Sequence, residues 1–149
     1  YCPALMVVSS GATLTINGNG TFTTERGDNE CYGINILGGT VVINGGNFYG
    51  ALTAVQVEKG TLIINGGFFD LAPTCKSQVP NYAKYVVNCI DEAYKDRTAV
   101  LQIKGGTFVN FDPSDDPEGA NTSYVADGYT VVPRKQDNGE TWYTVVPKE

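Results

Sequence analysis

The sequence reads GTVVINGGNF at residues 39–48 and GTLIINGGFF at residues 60–69, so one motif occurs twice at a distance of 21 residues. The segments before these copies, INI at 34–36 and VQV at 55–57, keep the same distance. A fixed period of roughly 20–30 residues in a β-rich sequence is typical of a solenoid, in which each repeat buries its apolar face against the next. Short strands separated by Gly and Asn-Gly-Gly corners predict the cross-section of a parallel β-helix.

Further copies of the motif extend in both directions. The segment GATLTING at 11–18 is an earlier copy, and the apolar run at Ala4–Val8 predicts a strand before it. The segment VNC at 87–89 aligns with the strand-like segments above, and LQIKGGTF at 101–108 is the last copy. We therefore predict an all-β fold, a single-stranded parallel β-helix of about four coils with about 21 residues per coil.

The predicted β-helix occupies residues 1–111 and carries two insertions. One lies near 23–31, where charged and turn-forming residues lengthen the spacing, and the other lies near 71–85, where the period is interrupted. The polar segment 91–97 is predicted to be a loop. Residues 112–149 no longer follow the repeat and form the second predicted unit.

The second unit begins with an acidic, turn-rich loop and continues as a predicted hairpin. Two β-prone runs, 129–132 and 141–146, flank Asp137-Asn138-Gly139, which is a strong hairpin turn signal. The ends of solenoids expose strand edges and need a cap against end-to-end association. The hairpin, with its aromatic residues Tyr129, Trp142 and Tyr143, is the predicted cap.

Charge and hydropathy exclude two classes of partner. The net charge of −6, from 10 basic and 16 acidic residues, argues against a nucleic-acid-binding surface. No apolar run approaches the length of a membrane-spanning helix, so we expect no membrane insertion. The chain begins at Tyr1 rather than Met, which indicates a processed or trimmed product.

The four cysteines, Cys2, Cys31, Cys75 and Cys89, show no CxxC pairing, so a zinc site or a redox motif is not expected. Two alternatives remain: Cys75 and Cys89 bridge the ends of the second insertion, or all four are thiols. The repeat register places Cys89 at an inward position, where cysteine behaves as a small hydrophobe.

Two columns of identical residues follow from the register. Asn17, Asn44 and Asn65 recur at a corner and predict an asparagine ladder rather than a ligand track. The phenylalanines after the Gly-Gly corners predict an interior aromatic stack rather than a sugar-binding surface; they are Phe48, Phe69 and Phe108, with Phe22 one place out of step. Tyr32, Tyr49 and Phe68 flank these positions and are the aromatic residues that we expect to be exposed.

Catalysis is not favoured by the residues present. The chain has no histidine, which removes most triad and zinc mechanisms. The predicted outward strand positions Asn35, Gln56 and Asn88 are neutral amides, where a polysaccharide-cleaving β-helix needs carboxylates. We predict no catalytic residue, no cofactor and no metal. The loop carboxylates Asp112, Asp115, Asp116 and Glu118 lack calcium-binding spacing and are predicted to be solvated.

Three segments together resemble a known family: TLIINGGFF at 61–69, KGGTFVNFDP at 104–113 and YVADGY at 124–129. They are similar to the right-handed parallel β-helix regions of fibre and head-decoration proteins in tailed phages of gut bacteria, and to bacterial surface β-helix proteins. The resemblance implies a non-enzymatic, receptor-contacting module on a virion surface or in the extracellular space. It also implies a homotrimer, or association with other virion proteins.

Two alternatives to the phage module stay open. One is a bacterial surface adhesin with the same fold. The other is a β-helix polysaccharide-degrading enzyme, which would need loop carboxylates such as Asp28, Asp70 and Asp91 to converge in a groove. For contact with a glycan or another cell-surface receptor, the candidate residues are Tyr32, Tyr49, Asp70, Asp91 and Glu92.

Overall fold

The computed structural model describes residues 4–24, 31–76, 85–115 and 122–149, and for Cys75 and Lys76 it describes the backbone alone. The described part is all-β, with parallel and mixed sheets. Its strands are β1 Ala4–Val8, β2 Thr13–Ile16, β3 Thr21–Thr23, β4 Tyr32–Ile43, β5 Asn47–Gly50, β6 Thr53–Ile64, β7 Phe68–Leu71, β8 Val87–Cys89, β9 Ala99–Ile103, β10 Thr107–Val109, β11 Tyr129–Lys135 and β12 Thr141–Pro147. Two short helices, α1 Pro73–Lys76 and α2 Asp91–Lys95, lie between strands.

The first sheet is parallel and has the order β1-β4-β6-β8, with β2 also beside β4 and β9 also beside β6. The long strands β4 and β6 pair Ile34 with Val55 and Ile43 with Ile64. The 21-residue distance in the sequence is therefore the pairing register. An irregularity between Ile36 and Thr40 divides β4 into the two strand segments that the repeat predicts.

The second sheet has the order β11-β12-β10-β7-β5-β3. Its parallel part stacks β3, β5, β7 and β10, and β12 then pairs antiparallel with β10. Phe22 pairs with Phe48, so the extra residue of the first copy is absorbed in the corner before β3 and the stack is kept. The predicted hairpin is confirmed, because β11 and β12 pair antiparallel and close this end of the sheet.

Side chains alternate in direction along each strand, and those that point toward the opposite sheet form the core. The phenylalanine column is confirmed: Phe48, Phe69 and Phe108 are fully buried, with ring centroids 5.1 and 4.9 Å apart and nearly parallel planes. Phe22 adds a ring 5.0 Å beyond Phe48. Cys89 pairs with Val57 and is 1% exposed, which confirms its inward position. Cys2 and the side chain of Cys75 lie outside the described residues, so the alternatives for disulfide pairing stay predictions.

The Asn-Gly-Gly corners have a direct steric explanation. The asparagine ladder is confirmed, since Asn44 Nδ2 donates to Asn17 Oδ1 and Asn65 Nδ2 donates to Asn44 Oδ1, each at 2.8 Å. Beside this ladder, a Cβ on Gly66 would lie 2.7 Å from the backbone oxygen of Asn44. The next residue, Gly67, has φ of 112°, a left-handed value that favours glycine. One glycine thus permits close stacking and the other turns the chain.

Two polar segments are more covered than the sequence indicates. The amides keep the predicted outward alternation with Ile34 and Val55, but Asn35 is only 7% and Gln56 only 3% exposed, whereas Asn88 is half-buried. Segment 91–97 is not simply a polar loop, because it begins with α2, whose Ala93 is buried against the core. In each case a polar sequence does not reveal that other parts of the chain cover one side of it. Within the predicted insertion 71–85, Leu71 ends β7 and α1 follows; residues 77–84 lie outside the described part.

Candidate recognition surface

The five residues that the sequence proposes for receptor contact do not form one cluster. Tyr49 and Asp70 are partners in the pairing of β5 with β7, whereas Tyr32 begins β4 in the first sheet. Asp91 and Glu92 are exposed in the first turn of α2. Both tyrosines are half-buried.

The structure corrects the prediction that Asp70 is an exposed contact residue. It is 7% exposed, and its Oδ1 accepts the backbone N–H of Leu71 at 2.7 Å. A carboxylate in this setting holds the local backbone and is closed to a large ligand. The prediction that Asp70 belongs to an exposed surface is therefore wrong.

Tyr49 instead belongs to a row of aromatic side chains on the second sheet. Its ring lies 6.1 Å from that of Phe68, and the Phe68 ring lies 5.0 Å from that of Trp142 in an edge-on arrangement. All three residues are half-buried. Tyr49 and Phe68 lie on the outer face because their strand neighbours Phe48 and Phe69 occupy the inner one. Trp142 lies on the same outer face because its neighbour Tyr143 pairs with the buried Phe108. We call Tyr49, Phe68 and Trp142 the aromatic row.

The sequence predicts that Trp142 lies in the hairpin cap, but it does not predict its place in the aromatic row. The signal was present, because Phe68 and Tyr49 occur on strands whose register the repeat predicts. The position of Trp142 depends on the antiparallel pairing of β12 with β10, in which Trp142 faces Val109. Its indole Nε1 is buried and has no hydrogen-bond partner among the described residues, so the ring offers the surface its carbon atoms rather than its N–H.

A groove of about 460 Å³ continues the aromatic row across the hairpin. We call it the Trp142 groove; it is lined by Val132, Arg134, Gln136, Trp142, Thr144 and Val146. Pairing places Arg134 opposite Trp142 and Val132 opposite Thr144, so these side chains share one face of the hairpin. The groove thus combines an aromatic ring and aliphatic side chains with a guanidinium, an amide and a hydroxyl.

A second groove, of about 510 Å³, lies between β11 and the loop that precedes it. We call it the Tyr129 groove; its polar lining includes Asp112, Ser114, Ser123, Asp127, Tyr129 and Lys148. Asp112 Oδ1 already accepts hydrogen bonds from the backbone N–H and the hydroxyl of Ser114, at 2.9 and 2.6 Å. That carboxylate is therefore committed to its own turn, and the groove offers one aromatic ring rather than a row.

The amides of Asn35, Gln56 and Asn88 form short hydrogen-bonded pairs rather than a reactive cluster. Asn88 Nδ2 donates to Gln56 Oε1 at 3.0 Å, and Asn35 Nδ2 donates to Glu58 Oε1 at 3.1 Å. The Oδ1 atoms of Asn35 and Asn88 are buried without a hydrogen-bond partner in the described part of the chain. Neutral amides cannot exchange a proton near neutral pH, so this row provides no general acid or base.

The carboxylates considered for other chemistry are dispersed or lie outside the described residues. Asp116 and Glu118 of the acidic loop, and Asp28 of the first insertion, belong to the latter group. Across the residues that the structure describes, no group of three or more His, Cys, Asp or Glu side chains is arranged to hold a metal ion.

The turn that follows α2 contains a carboxylate with a lowered pKa, that of Asp96. The hydroxyl of Thr98, and then its backbone N–H, donate to Asp96 Oδ1 at 2.7 and 2.9 Å and lower the pKa of Asp96. Asp96 follows α2, so this pair closes the turn into β9.

Neither described helix is long and apolar enough to cross a bilayer. Comparisons of the chain with protein-family models, with curated proteins and with solved structures found no match.

Proposed function

We propose that this chain is a right-handed parallel β-helix that serves as a non-enzymatic recognition module and binds a glycan along the aromatic row and the Trp142 groove. The observation that carries the proposal is the continuous outer surface from Tyr49 through Phe68 to Trp142. The proposed setting is a fibre or decoration protein on a phage virion, which is what the sequence resemblance implies.

The pairing registers support the β-helix. Three strand segments of one repeat, at 34–36, 40–43 and 47–50, each pair in parallel with the segment 21 residues later. The Asn ladder and the Phe column follow the same direction of stacking. About four such coils, closed by the hairpin, fit the described strands.

The chemistry of the surface favours a sugar over other ligands. Sugar rings present C–H groups on their faces and hydroxyls at their edges. A half-exposed aromatic ring beside a few oriented polar groups matches both, because the ring takes the face and the polar groups take the hydroxyls. Arg134 and Gln136 supply donors that reach a hydroxyl or carboxylate. A nucleic acid is disfavoured by the net charge of −6.

The proposed location is the virion surface or the extracellular space, with a homotrimer or other virion proteins as structural partners. A bacterial surface adhesin would use the same surface in the same way. Labelling of intact particles or cells with an antibody against the hairpin distinguishes the two settings.

Binding to an array of neutral and acidic bacterial oligosaccharides, followed by titration calorimetry on the strongest hit, tests the recognition function. We expect Trp142→Ala to weaken binding by about tenfold or more, which corresponds to about 1.4 kcal/mol. Tyr129→Ala is the matched control, because it removes a half-buried aromatic ring of the same hairpin from the other groove. Circular dichroism of both variants checks that the fold is kept.

Three results would count against the proposal. Wild-type protein that binds no member of the array removes the recognition function. Loss of binding in Tyr129→Ala but not in Trp142→Ala moves the site to the Tyr129 groove. Shortening of a bound oligosaccharide during the titration, seen by mass spectrometry, would show that the chain is an enzyme.

A further inference from the structure

The strands of the second sheet carry few charges, and these differ in accessibility. The charged residues of its six strands are Asp70 on β7 and the neighbours Arg134 and Lys135 on β11. Asp70 is 7% exposed, and its Oδ1 accepts the backbone N–H of the next residue. Arg134 and Lys135 are both exposed, but successive residues of a strand point to opposite faces. Because Arg134 is the pairing partner of Trp142, its guanidinium is the accessible charge that these strands place on the outer face.

The Trp142 groove is cationic although the chain is acidic. Its lining contains the guanidinium of Arg134, and the described side chains that line it include no carboxylate. The Tyr129 groove differs, because Asp112 and Asp127 line it together with Lys148. The net charge of the whole chain is −6, so the sign of the Trp142 groove is opposite to that of the chain. A groove of this kind is electrostatically complementary to an anionic group.

The neutral polar side chains of the Trp142 groove are partly engaged within the protein. Gln136 Nε2 donates to the backbone oxygen of Arg134 at 3.2 Å. The hydroxyls of Thr144 and Thr107 share a hydrogen bond of 2.9 Å. The Arg134 guanidinium offers a planar fork of N–H donors and no acceptor. The donors available to a ligand therefore lie mainly on one guanidinium, whose geometry fits a carboxylate through two parallel N–H···O bonds.

The indole and the guanidinium belong to directly opposite residues. Arg134 faces Trp142 in the antiparallel pairing of β11 with β12, and both side chains line the groove. The Cβ atoms of such cross-strand partners lie about 4.5–5.5 Å apart. In a uronic acid the carboxylate is bonded directly to the sugar ring, so one residue presents an apolar ring face and a negative charge side by side. Its ring can contact the indole while its carboxylate contacts the guanidinium.

We propose that the glycan bound in the Trp142 groove is acidic, with a uronic acid whose ring stacks on Trp142 and whose carboxylate is held by Arg134. This preference rests on the proposed glycan-binding function and adds the class of sugar to it. An arginine also binds phosphate, but in a phosphodiester-linked glycan an ester oxygen separates the charge from the sugar ring. A carboxylate on the ring itself is therefore the better match to two adjacent side chains.

Matched pairs of ligands test the preference. The probes are oligogalacturonate, oligomannuronate and hyaluronan fragments, each compared with the neutral oligosaccharide that reduction of its carboxyl groups produces. In titration calorimetry, wild type should bind at least one acidic form about tenfold or more tightly than its reduced form, because reduction removes a charge-assisted hydrogen-bonded pair. Arg134→Gln should abolish this difference and leave the affinity for the reduced form unchanged.

Lys135→Gln is the matched control for the loss of charge. It makes the same change in net charge at the adjacent exposed residue, whose side chain points to the opposite face. This variant should keep the wild-type preference for the acidic form. Equal loss of the preference in Arg134→Gln and Lys135→Gln would mean that it comes from overall charge rather than from a contact with Arg134, which overturns the proposal.

The remaining outcomes separate the class of sugar from glycan binding itself. Wild type that binds neutral oligosaccharides but none of the uronates overturns the acid preference and leaves the proposed function in place. Wild type that binds no oligosaccharide of either kind removes both. Tighter binding of a phosphodiester-linked oligosaccharide than of every uronate, lost in Arg134→Gln, would assign the guanidinium to phosphate and overturn the carboxylate.

Discussion

Replacement of Phe69 by alanine probes the aromatic column at its most enclosed point. The Phe69 ring is 0% exposed and lies between the rings of Phe48 and Phe108, at 5.1 and 4.9 Å. Strands β5 and β10 hold the backbone on both sides of β7, so the cavity left by the ring cannot close without breaking ladder hydrogen bonds. Removing a buried Phe costs about 3–5 kcal/mol, and the rigid surroundings place this site near the upper value.

The adjacent residue provides the matched control for this substitution. Phe68 has the same side chain but is half-buried on the outer face, where it contacts Tyr49 and Trp142. We expect Phe68→Ala to cost about 1–2 kcal/mol, within the ordinary range for a partly exposed position.

Thermal and urea unfolding of both variants measure the difference. For a chain of this length, about 2–4 °C in Tm accompanies each kcal/mol, so a loss near 5 kcal/mol in Phe69→Ala should lower Tm by about 10–20 °C. A third variant, Phe22→Ala at the open end of the column, should fall between the other two, because Phe22 stacks on a described ring on one side and is half-exposed. Equal losses for Phe68→Ala and Phe69→Ala would refute the inward assignment of the column and with it the stacking of the coils.

Three further predictions follow from single contacts. Ile64→Ala should cost about 2–5 kcal/mol in urea unfolding, because Ile64 is fully buried. Gln56→Ala should cost about 1–3 kcal/mol rather than nothing, because Gln56 is only 3% exposed and its loss leaves the half-buried Asn88 amide without its acceptor. Gly66→Ala should cost about 1–3 kcal/mol in the same assay, because its Cβ would meet a neighbouring backbone oxygen at 2.7 Å, and a neutral result would mean that the corners are not stacked. Asp96→Asn should lower Tm at neutral pH but not in acid. The pKa of Asp96 is lowered below 3.8, so the stabilisation by its carboxylate is present above that value and is lost as the pH falls through the folded pKa. A difference in Tm between wild type and Asp96→Asn that stays the same at low pH would contradict this.

The side chains that point into the core can be predicted from the sequence, because local patterns that repeat along the chain decide their positions. Strand alternation decides which side chain enters the core, and the 21-residue period decides which residues stack. The period relates Phe48 to Phe69, and alignment of the same motif across the insertions placed Cys89 opposite Val57 and Phe108 in the same column, as the structure has them. The asparagine ladder has the same origin, since identical amides at one corner bond along the stack.

The exposure of side chains on the outer faces of the strands depends on the tertiary structure, because it is decided by the other segments that pack against those strands. Alternation marks Gln56 and Asp70 as outward, yet both are buried. The aromatic row needs the antiparallel pairing of β12 with β10 to bring Trp142 to Phe68, which lie 74 residues apart, and no periodic pattern relates them. By itself the sequence determined the repeat, its register and its core. Only the tertiary structure decided which surfaces remain open to a partner, because those surfaces are formed by contacts between segments outside the period.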